Sequence, residues 1–145
     1  MGLAGDIAAF VARLDSAIDS TMQGPVLDGA KEAIWLSGLK NVYAAYTPQF
    51  YSRRMSAGGL IDESNMVGDY GDKTLVIRDI AGWQHLYGGE YPGEMLVEAI
   101  AEGSAAYHFQ NAGGRKFMEE AEKDFKPEFE KLLASGLRAH GFIVL

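Results

Sequence analysis

The spacing of apolar residues changes once along this chain, across residues 46–65, YTPQFYSRRMSAGGLIDESN. Before this segment the apolar residues recur with helical spacing, and after it they alternate as in strands. Pro48 disfavours a helical conformation at Thr47, so a helix that arrives from the N-terminal side should end there. The chain is therefore expected to have an α+β fold, with N-terminal helices, a small antiparallel sheet with a hairpin, and a long C-terminal helix.

Length and composition favour one self-sufficient domain. At 145 residues the chain is close to the commonest domain size, so a single domain over residues 1–145 is expected. Apolar residues make up 48% of the chain, and the absence of cysteine excludes disulfides and thiolate metal sites. The N-terminus lacks the basic start of a signal peptide, and no apolar run approaches the roughly 20 residues that cross a bilayer. No membrane partner is expected.

Residues 6–46 are predicted to form two helices. The first covers residues 6–19, and the second covers residues 26–46. Residues 20–25, STMQGP, are predicted to break the chain between them. The first helix carries an apolar stripe that should face the core. The residues of this stripe are Ile7, Phe10, Val11, Leu14 and Ile18.

Residues 60–80 are predicted to form the β region. Residues 65–70 and 73–80 are extended runs on either side of a Gly-Asp turn at 71–72, which is the pattern of a hairpin. Residues 60–61 are a further candidate strand. Both faces of the second run are mostly apolar, so one face is expected to meet another subunit.

The C-terminal half is predicted to hold a loop and two helices. Residues 81–93, with four glycines and a proline, are predicted to be a long surface loop, and its aromatic residues favour a contact role. A short helix is predicted over residues 94–102 and the C-terminal helix over residues 116–139. Pro127 is expected to kink or restart that helix, and Gly141 is expected to stop it.

Acidic residues are concentrated in the middle of the chain. Between residues 59 and 103 there are nine acidic and two basic residues, which leaves eleven of each elsewhere and explains the net charge of −7. Proteins that grip phosphates normally carry the opposite charge, so no sequence-specific binding of nucleic acid is expected. Glu94, Glu98 and Glu102 form an acidic row on one face of the short helix. A solvated face and the lumen of a ring are both open interpretations of this row.

The sequence gives little support for catalysis. Its histidines, His85, His108 and His140, stand alone, and no metal-ligand spacing, phosphate loop or nucleophile elbow is present. No catalytic residue, no cofactor and no metal site is therefore predicted. The alternative is a small α+β ligand-binding or catalytic domain of unknown substrate, with a site built from Asp62, Glu63 and His85.

Aromatic residues and arginines mark the predicted contact surface. Arg53 and Arg54 stand next to three aromatic residues in the segment where the apolar spacing changes. Tyrosine and arginine are enriched at interface hot spots, so an oligomer interface is predicted here, with a solvated arginine pair as the alternative. The residues assigned to this interface are Tyr51, Arg53, Arg54, Trp83, Tyr87 and Tyr91.

Several short motifs follow one another in order between residues 43 and 142. They are YTPxxYxRR with a Gly-Gly-Leu-Ile-Asp/Glu turn, then LVEAIAEG, GGRKFMEEAEKDF and LASGLRAHGF. This order resembles small virion proteins of long-tailed phages that are encoded among the head–tail joining and tail-completion genes. The matching positions are Tyr46, Pro48, Tyr51, Arg53, Arg54, Glu102, Gly103, Arg115, Phe117, Gly136, Leu137, Arg138 and Gly141.

The resemblance implies a non-enzymatic structural protein of the virion, assembled in the host cytoplasm. It implies a homo-oligomeric ring at the neck or tail top, with phage neck, portal-adaptor or tail proteins as further partners. A ligand-binding or catalytic domain is the alternative, and a nucleic-acid mimic, suggested by the acidic middle of the chain alone, is a third possibility.

Overall fold

A computed structural model of the chain describes residues 2–44, 55, 57–82, 97–98, 100 and 116–145, together with the backbone of residues 83–84 and 90–91. These residues form three helices and two small antiparallel sheets, which confirms the predicted α+β class. The helices are α1 (Leu3–Thr21), α2 (Leu27–Gly38) and α3 (Phe117–Ala139). The strands are β1 (Met66–Gly71), β2 (Thr74–Asp79), β3 (Trp83–Gln84) and β4 (Glu90–Tyr91).

The N-terminal residues form one continuous helical segment. The predicted break at residues 20–25 is wrong, because Met22–Val26 form a π-helical turn that joins α1 directly to α2. In an α-helix the ring of Pro25 would collide with the carbonyl group of the preceding turn. A π-helical turn contains an extra residue, which changes that register and accommodates the proline. Local turn signals are therefore overridden where this part of the helical segment packs against the C-terminal helix.

The second predicted helix is confirmed. α2 continues through a second π-helical turn, Leu39–Tyr43, and residues 45–46 of the predicted span lie outside the described residues. Ile34 and Val42 are buried on this segment and belong to the main core. The helix therefore supplies one wall of the hydrophobic core.

α3 lies antiparallel to the N-terminal helical segment. At its start, the Ser37 hydroxyl donates a hydrogen bond of 2.6 Å to the Phe117 carbonyl. Near its end, Gly136 lies against the side chain of Thr21. The start of α3 thus lies beside the end of α2, and the end of α3 lies beside the end of α1. The two antiparallel segments form a long helical pair.

The predicted bounds and the predicted stop of the C-terminal helix are confirmed. The helix passes through Pro127 without restarting. It ends at Ala139, and Gly141 follows two residues later with a φ of +84°, which suits glycine. The Phe142 N–H donates to the Leu137 carbonyl at 3.1 Å, and the Gly141 N–H donates to the Arg138 carbonyl at 2.9 Å. These two bonds make a Schellman motif, which turns the chain back towards α1.

β1 and β2 form the predicted hairpin, with the turn one residue later than expected. Gly71 pairs with Thr74, and the turn residues are Asp72 and Lys73, with φ values of 49° and 59°. Two positive φ values suit a two-residue hairpin turn that follows the twist of the strands. The Lys73 ammonium group lies 2.5 Å from a carboxylate oxygen of Asp19, so the turn is tied to α1.

Two further predictions about the β region are wrong. Residues 60–61 form a buried turn instead of a strand. The predicted surface loop 81–93 begins with Ala81, which is fully buried, and its ends pair as β3 and β4, with Trp83 opposite Tyr91. Residues 85–89 and 92–93 lie outside the described residues.

The main core lies between α2, the hairpin and the start of α3. Its buried members are Ile34, Val42, Leu60, Met66, Ala81, Phe117 and Ala121. Val97 and Ile100 pack against it, and these residues are helical, as the prediction of a short helix over residues 94–102 requires. The other end of the long helical pair is remote from this core.

The Ser37 hydroxyl provides a test of how the helical pair is held. Replacing Ser37 by alanine leaves the buried Phe117 carbonyl without this donor and Asn41 without its acceptor at 2.9 Å. The expected cost is about 1–2 kcal/mol in the free energy of unfolding, measured by urea denaturation. The control Ser16→Ala changes an exposed serine of α1 and should leave stability unchanged or slightly raised. Equal effects at the two positions would contradict this role of Ser37.

Candidate interaction surfaces

The N-terminal part of α1 exposes an apolar surface. Leu3, Ile7, Phe10 and Val11, which we call the α1 seam, are between 47% and 76% exposed. The predicted apolar stripe of the first helix is covered only in its second half, where Leu14 and Ile18 are half-buried. α3 ends before it reaches the α1 seam, so the seam has no helix packed on it within the described part of the chain.

The C-terminal tail, residues 142–145, extends this surface. The ring of Phe142 packs edge-on against Phe10, with 5.8 Å between the ring centroids. The guanidinium group of Arg13 lies 5.6 Å from the centroid of the Phe142 ring, which is a favourable cation–π geometry. Beyond it, Ile143 is 91% exposed and Leu145 is fully exposed. The α1 seam and the tail thus form a continuous apolar patch at one end of the helical pair.

The outer face of the hairpin is a second surface. Val76 lies on β2 and Ile80 directly follows it, and both are about half exposed. Leu75 and Ile77 of β2 face inwards. This face also carries an ion pair, with 2.6 Å between Arg78 and Asp69. The alternation along β2 is as predicted, and the contact of its outer face with another subunit remains a prediction.

The inner face of the hairpin is tied to α1. The Tyr70 hydroxyl donates to the Asp19 carboxylate at 2.7 Å, beside the ion pair between Lys73 and Asp19. Hydrogen bonds from Lys73 and Tyr70 lower the pKa of Asp19. Asp19 thus faces the hairpin, whereas Thr21, on the side of α1 that carries the seam, lies against α3. The outer face of the hairpin and the α1 seam therefore lie on different sides of the molecule.

Most of the residues assigned to the oligomer interface cannot be placed. Trp83 and Tyr91 are brought together as backbone partners of β3 and β4. Tyr51, Arg53, Arg54 and Tyr87 lie outside the described residues. In the acidic row, Glu98 is helical and exposed, and Glu94 and Glu102 lie outside the described residues.

Asp62, one member of the alternative site, has a structural role. Its carboxylate accepts hydrogen bonds from the Gly58 N–H at 2.6 Å and from the N–H and the hydroxyl of Ser64 at 3.0 and 2.6 Å. These bonds, chiefly that from the Ser64 hydroxyl, lower the pKa of Asp62. Glu63 is exposed beside it, and His85 lies outside the described residues. Asp62 is thus engaged in shaping the turn that enters the hairpin.

Asp79 is a buried carboxylate that sequence reasoning missed. One carboxylate oxygen accepts a hydrogen bond of 2.8 Å from the Ala81 N–H, and the other has no hydrogen-bond partner among the described residues. Burial is the main reason why the pKa of Asp79 is raised to about 6. The Ala81 hydrogen bond opposes this rise, and the negative charge of Asp62 adds to it. The available signal was its position, which continues the inward-facing series of Leu75 and Ile77 in β2.

Metal-binding clusters and membrane-spanning helices are both absent from the described residues. No group of three or more His, Asp or Glu side chains there could hold a metal ion. No helix among them is long and apolar enough to span a membrane.

The chain was also compared with known proteins. A family model, YomN, matches residues 6–139, which is most of the chain. The chain belongs to the YomN family. This family is phage-derived, in agreement with the phage origin expected from the order of the motifs. Neither a curated protein nor a solved structure gives a significant match.

Proposed function

We propose that this YomN-family chain is a non-enzymatic structural protein of a tailed-phage virion, a subunit of a homo-oligomeric ring at the neck or tail top. The observation that carries the proposal is a pair of separate apolar surfaces, the α1 seam with the tail and the outer face of the hairpin. Contiguous exposed apolar patches usually mark protein–protein contacts. A subunit of a larger assembly needs more than one such surface, because it contacts more than one neighbour.

The contact between ring neighbours is proposed to involve Arg53 and Arg54. A ring is built from a heterologous contact, in which one surface of each copy meets a different surface of the next. Guanidinium groups suit bidentate pairing with carboxylates, and residues 59–103 of a neighbouring copy offer nine acidic residues. The outer face of the hairpin would supply the apolar part of the same contact.

The location is tested on purified virions. Mass spectrometry should detect the chain as a stoichiometric virion component, and cryo-electron microscopy with an antibody fragment against α3 should place it at the neck or tail top. Absence of the chain from virions would contradict a structural role. It would direct attention to the ligand-binding or catalytic alternative.

The ring contact is tested by the double change Arg53→Ala/Arg54→Ala. Assembly into rings or into virions is expected to fall at least about tenfold, because paired interface charges commonly contribute a kcal/mol or more each. Helical content and thermal unfolding of the isolated subunit should be unchanged. The control Lys123→Ala/Lys126→Ala removes the same charge from the exposed side of α3 and should assemble normally. Normal assembly of the arginine variant, or its unfolding, would contradict the proposed contact.

A further inference from the structure

We infer that a second copy of this chain docks antiparallel on the α1 seam and forms a closed two-fold pair. The inference goes beyond the proposed function, because a two-fold pair uses one surface of each copy and does not build a ring. It therefore forms without any other virion protein. The argument depends on the spacing of the α1 residues, on two charges beside the seam, and on the exposed area.

The apolar residues of α1 follow a heptad pattern. Gaps of four and three residues alternate along one face of the helix, which is the spacing that packs one helix against another. The series is Leu3, Ile7, Phe10, Leu14, Ala17 and Thr21. Its end is buried at Ala17 and Thr21, where α3 packs against α1. Its start is exposed because α3 ends at Ala139. An apolar helix face that could pack against another helix is thus left open at the start of α1.

Two charged residues beside this apolar face are complementary between two copies of α1. Asp6 and Arg13 are one heptad apart and lie on the same flank of the apolar series. In an antiparallel pair the same flanks of the two helices face each other, so Asp6 of each copy meets Arg13 of the other. This register also sets Leu3 opposite Leu14 and Ile7 opposite Phe10. A parallel pair would set Asp6 opposite Val11 and leave both charges unpaired.

The exposed area is sufficient for a stable pair. The α1 seam together with Ile143 and Leu145 exposes on the order of 800 Å² per copy, which is what one partner contributes to an interface of standard size. Phe142 packs on Phe10 and under Arg13, so the tail lies on the charged flank of the seam. The second copy would cover the tail as well as the helix.

The first test is sedimentation velocity on the full chain over about a hundredfold range of concentration. The Arg53→Ala/Arg54→Ala chain, which lacks the proposed ring contact, is expected to be a pair that dissociates on dilution, and the seam variants are made in this background. Ile7→Lys puts a charge into the centre of the seam and should raise the dissociation constant at least about tenfold. Leu36→Lys is the matched control, because Leu36 is a similarly exposed apolar residue of α2 outside the seam, and it should leave the pair intact. An Arg53→Ala/Arg54→Ala chain that is monomeric at every concentration, or an Ile7→Lys chain that pairs normally, overturns the inference.

The second test determines the direction of the pair through its charges. Asp6→Arg and Arg13→Asp each place like charges opposite each other twice, so each should weaken the pair about tenfold. The double exchange Asp6→Arg/Arg13→Asp restores opposite charges and should recover most of the affinity. Double-exchange protein that pairs no better than the single variants overturns the antiparallel register.

Cross-linking provides an independent readout, since the chain has no cysteine. A mixture of Leu3→Cys chains and Leu14→Cys chains should form disulfide-linked pairs of one chain of each kind. Leu3→Cys chains alone should not link, because their two cysteines lie about 17 Å apart along the antiparallel helices. Linked Leu3→Cys pairs would show a parallel arrangement and overturn the inference. The ring contact is tested separately through Arg53 and Arg54, so failure of the two-fold pair and failure of the ring contact give different results.

Discussion

Replacing Gly136 by alanine is expected to destabilise the protein by about 2 kcal/mol, even though alanine is the better helix former. A methyl group at this position would overlap the side chain of Thr21, including its Cβ atom. Thr21 cannot move aside, since it is buried, β-branched and bonded through its hydroxyl to the Ala17 carbonyl at 2.7 Å. The overlap would therefore separate α3 from α1.

The sign of this effect is tested against Gly5→Ala. Gly5 lies in α1 with no atom of another element within 4 Å of an added methyl group. Urea denaturation should show Gly5→Ala to be more stable by about 0.5–1 kcal/mol, from helix propensity alone. Combining Gly136→Ala with Thr21→Ala should recover part of the loss, because the methyl group then has room. A gain in stability for Gly136→Ala alone would contradict the close approach of the two helices.

Elements that are specified by local signals were predicted well. The C-terminal helix was predicted within a residue of its bounds, and its stop follows from Gly141, which adopts the positive φ that glycine tolerates. The hairpin also follows from alternation around a short turn. The turn lies one residue later in the chain than predicted, because Lys73 adopts a positive φ and forms its second residue. Lys73 also pairs with Asp19, which is distant in sequence and so gives no local signal.

Elements that depend on tertiary packing were predicted poorly. Residues 20–25 have the composition of a turn, but α3 packs along both α1 and α2 and keeps this segment helical. Ala81 was assigned to a surface loop, although it is fully buried in the main core. Neither burial nor packing partner can be read from the composition of a short segment.

The candidate surfaces show the same contrast between what local signals specify and what tertiary packing decides. The apolar stripe of α1 is apparent in the sequence, but which half of it is covered depends on where α3 ends. Alternation along β2 places Asp79 on the inner face of the hairpin, but its full burial depends on Ala81 and on the core beneath that face. Periodicity identifies an apolar face, and only the packing of distant segments decides whether that face is free.

Replacing Asp79 by asparagine is expected to raise stability at neutral pH and to remove a pH dependence. Asp79 is 3% exposed and has a pKa of about 6 in the folded protein, above the value of 3.8 for an unperturbed carboxyl group. Between about pH 4 and pH 6 the folded state holds a proton that the unfolded state has released. The stability contributed by Asp79 is therefore fully present below about pH 4, falls as the pH rises to about 6, and is constant above that. The difference corresponds to roughly 2–3 kcal/mol at full burial.

The measurement is the free energy of unfolding of the native chain and of Asp79→Asn, by urea denaturation from pH 4 to pH 8. Asparagine keeps the acceptor for the Ala81 N–H and carries no charge, but its amide donors gain no partner. The expected gain at pH 7 is therefore smaller than the full difference, about 1 kcal/mol. Asp19 and Asp62 have lowered pKa values, so their stabilising contributions are lost only as the pH falls through their folded pKa values.

Subtracting the two profiles isolates Asp79 together with its coupling to Asp62, because the remaining carboxylates contribute equally to both proteins. The difference should favour the asparagine variant increasingly from pH 4 to pH 6 and then stay level. Asp28→Asn, a change at an exposed carboxylate of α2, is the control and should run parallel to the native profile. A variant at Asp79 that also runs parallel would mean that this carboxylate ionises as easily in the folded as in the unfolded protein, which would contradict the effect of its burial. A fall in the stability of the native chain from pH 4 to pH 6 that is absent only from Asp79→Asn would establish that the protein carries an ionised group in its core at neutral pH.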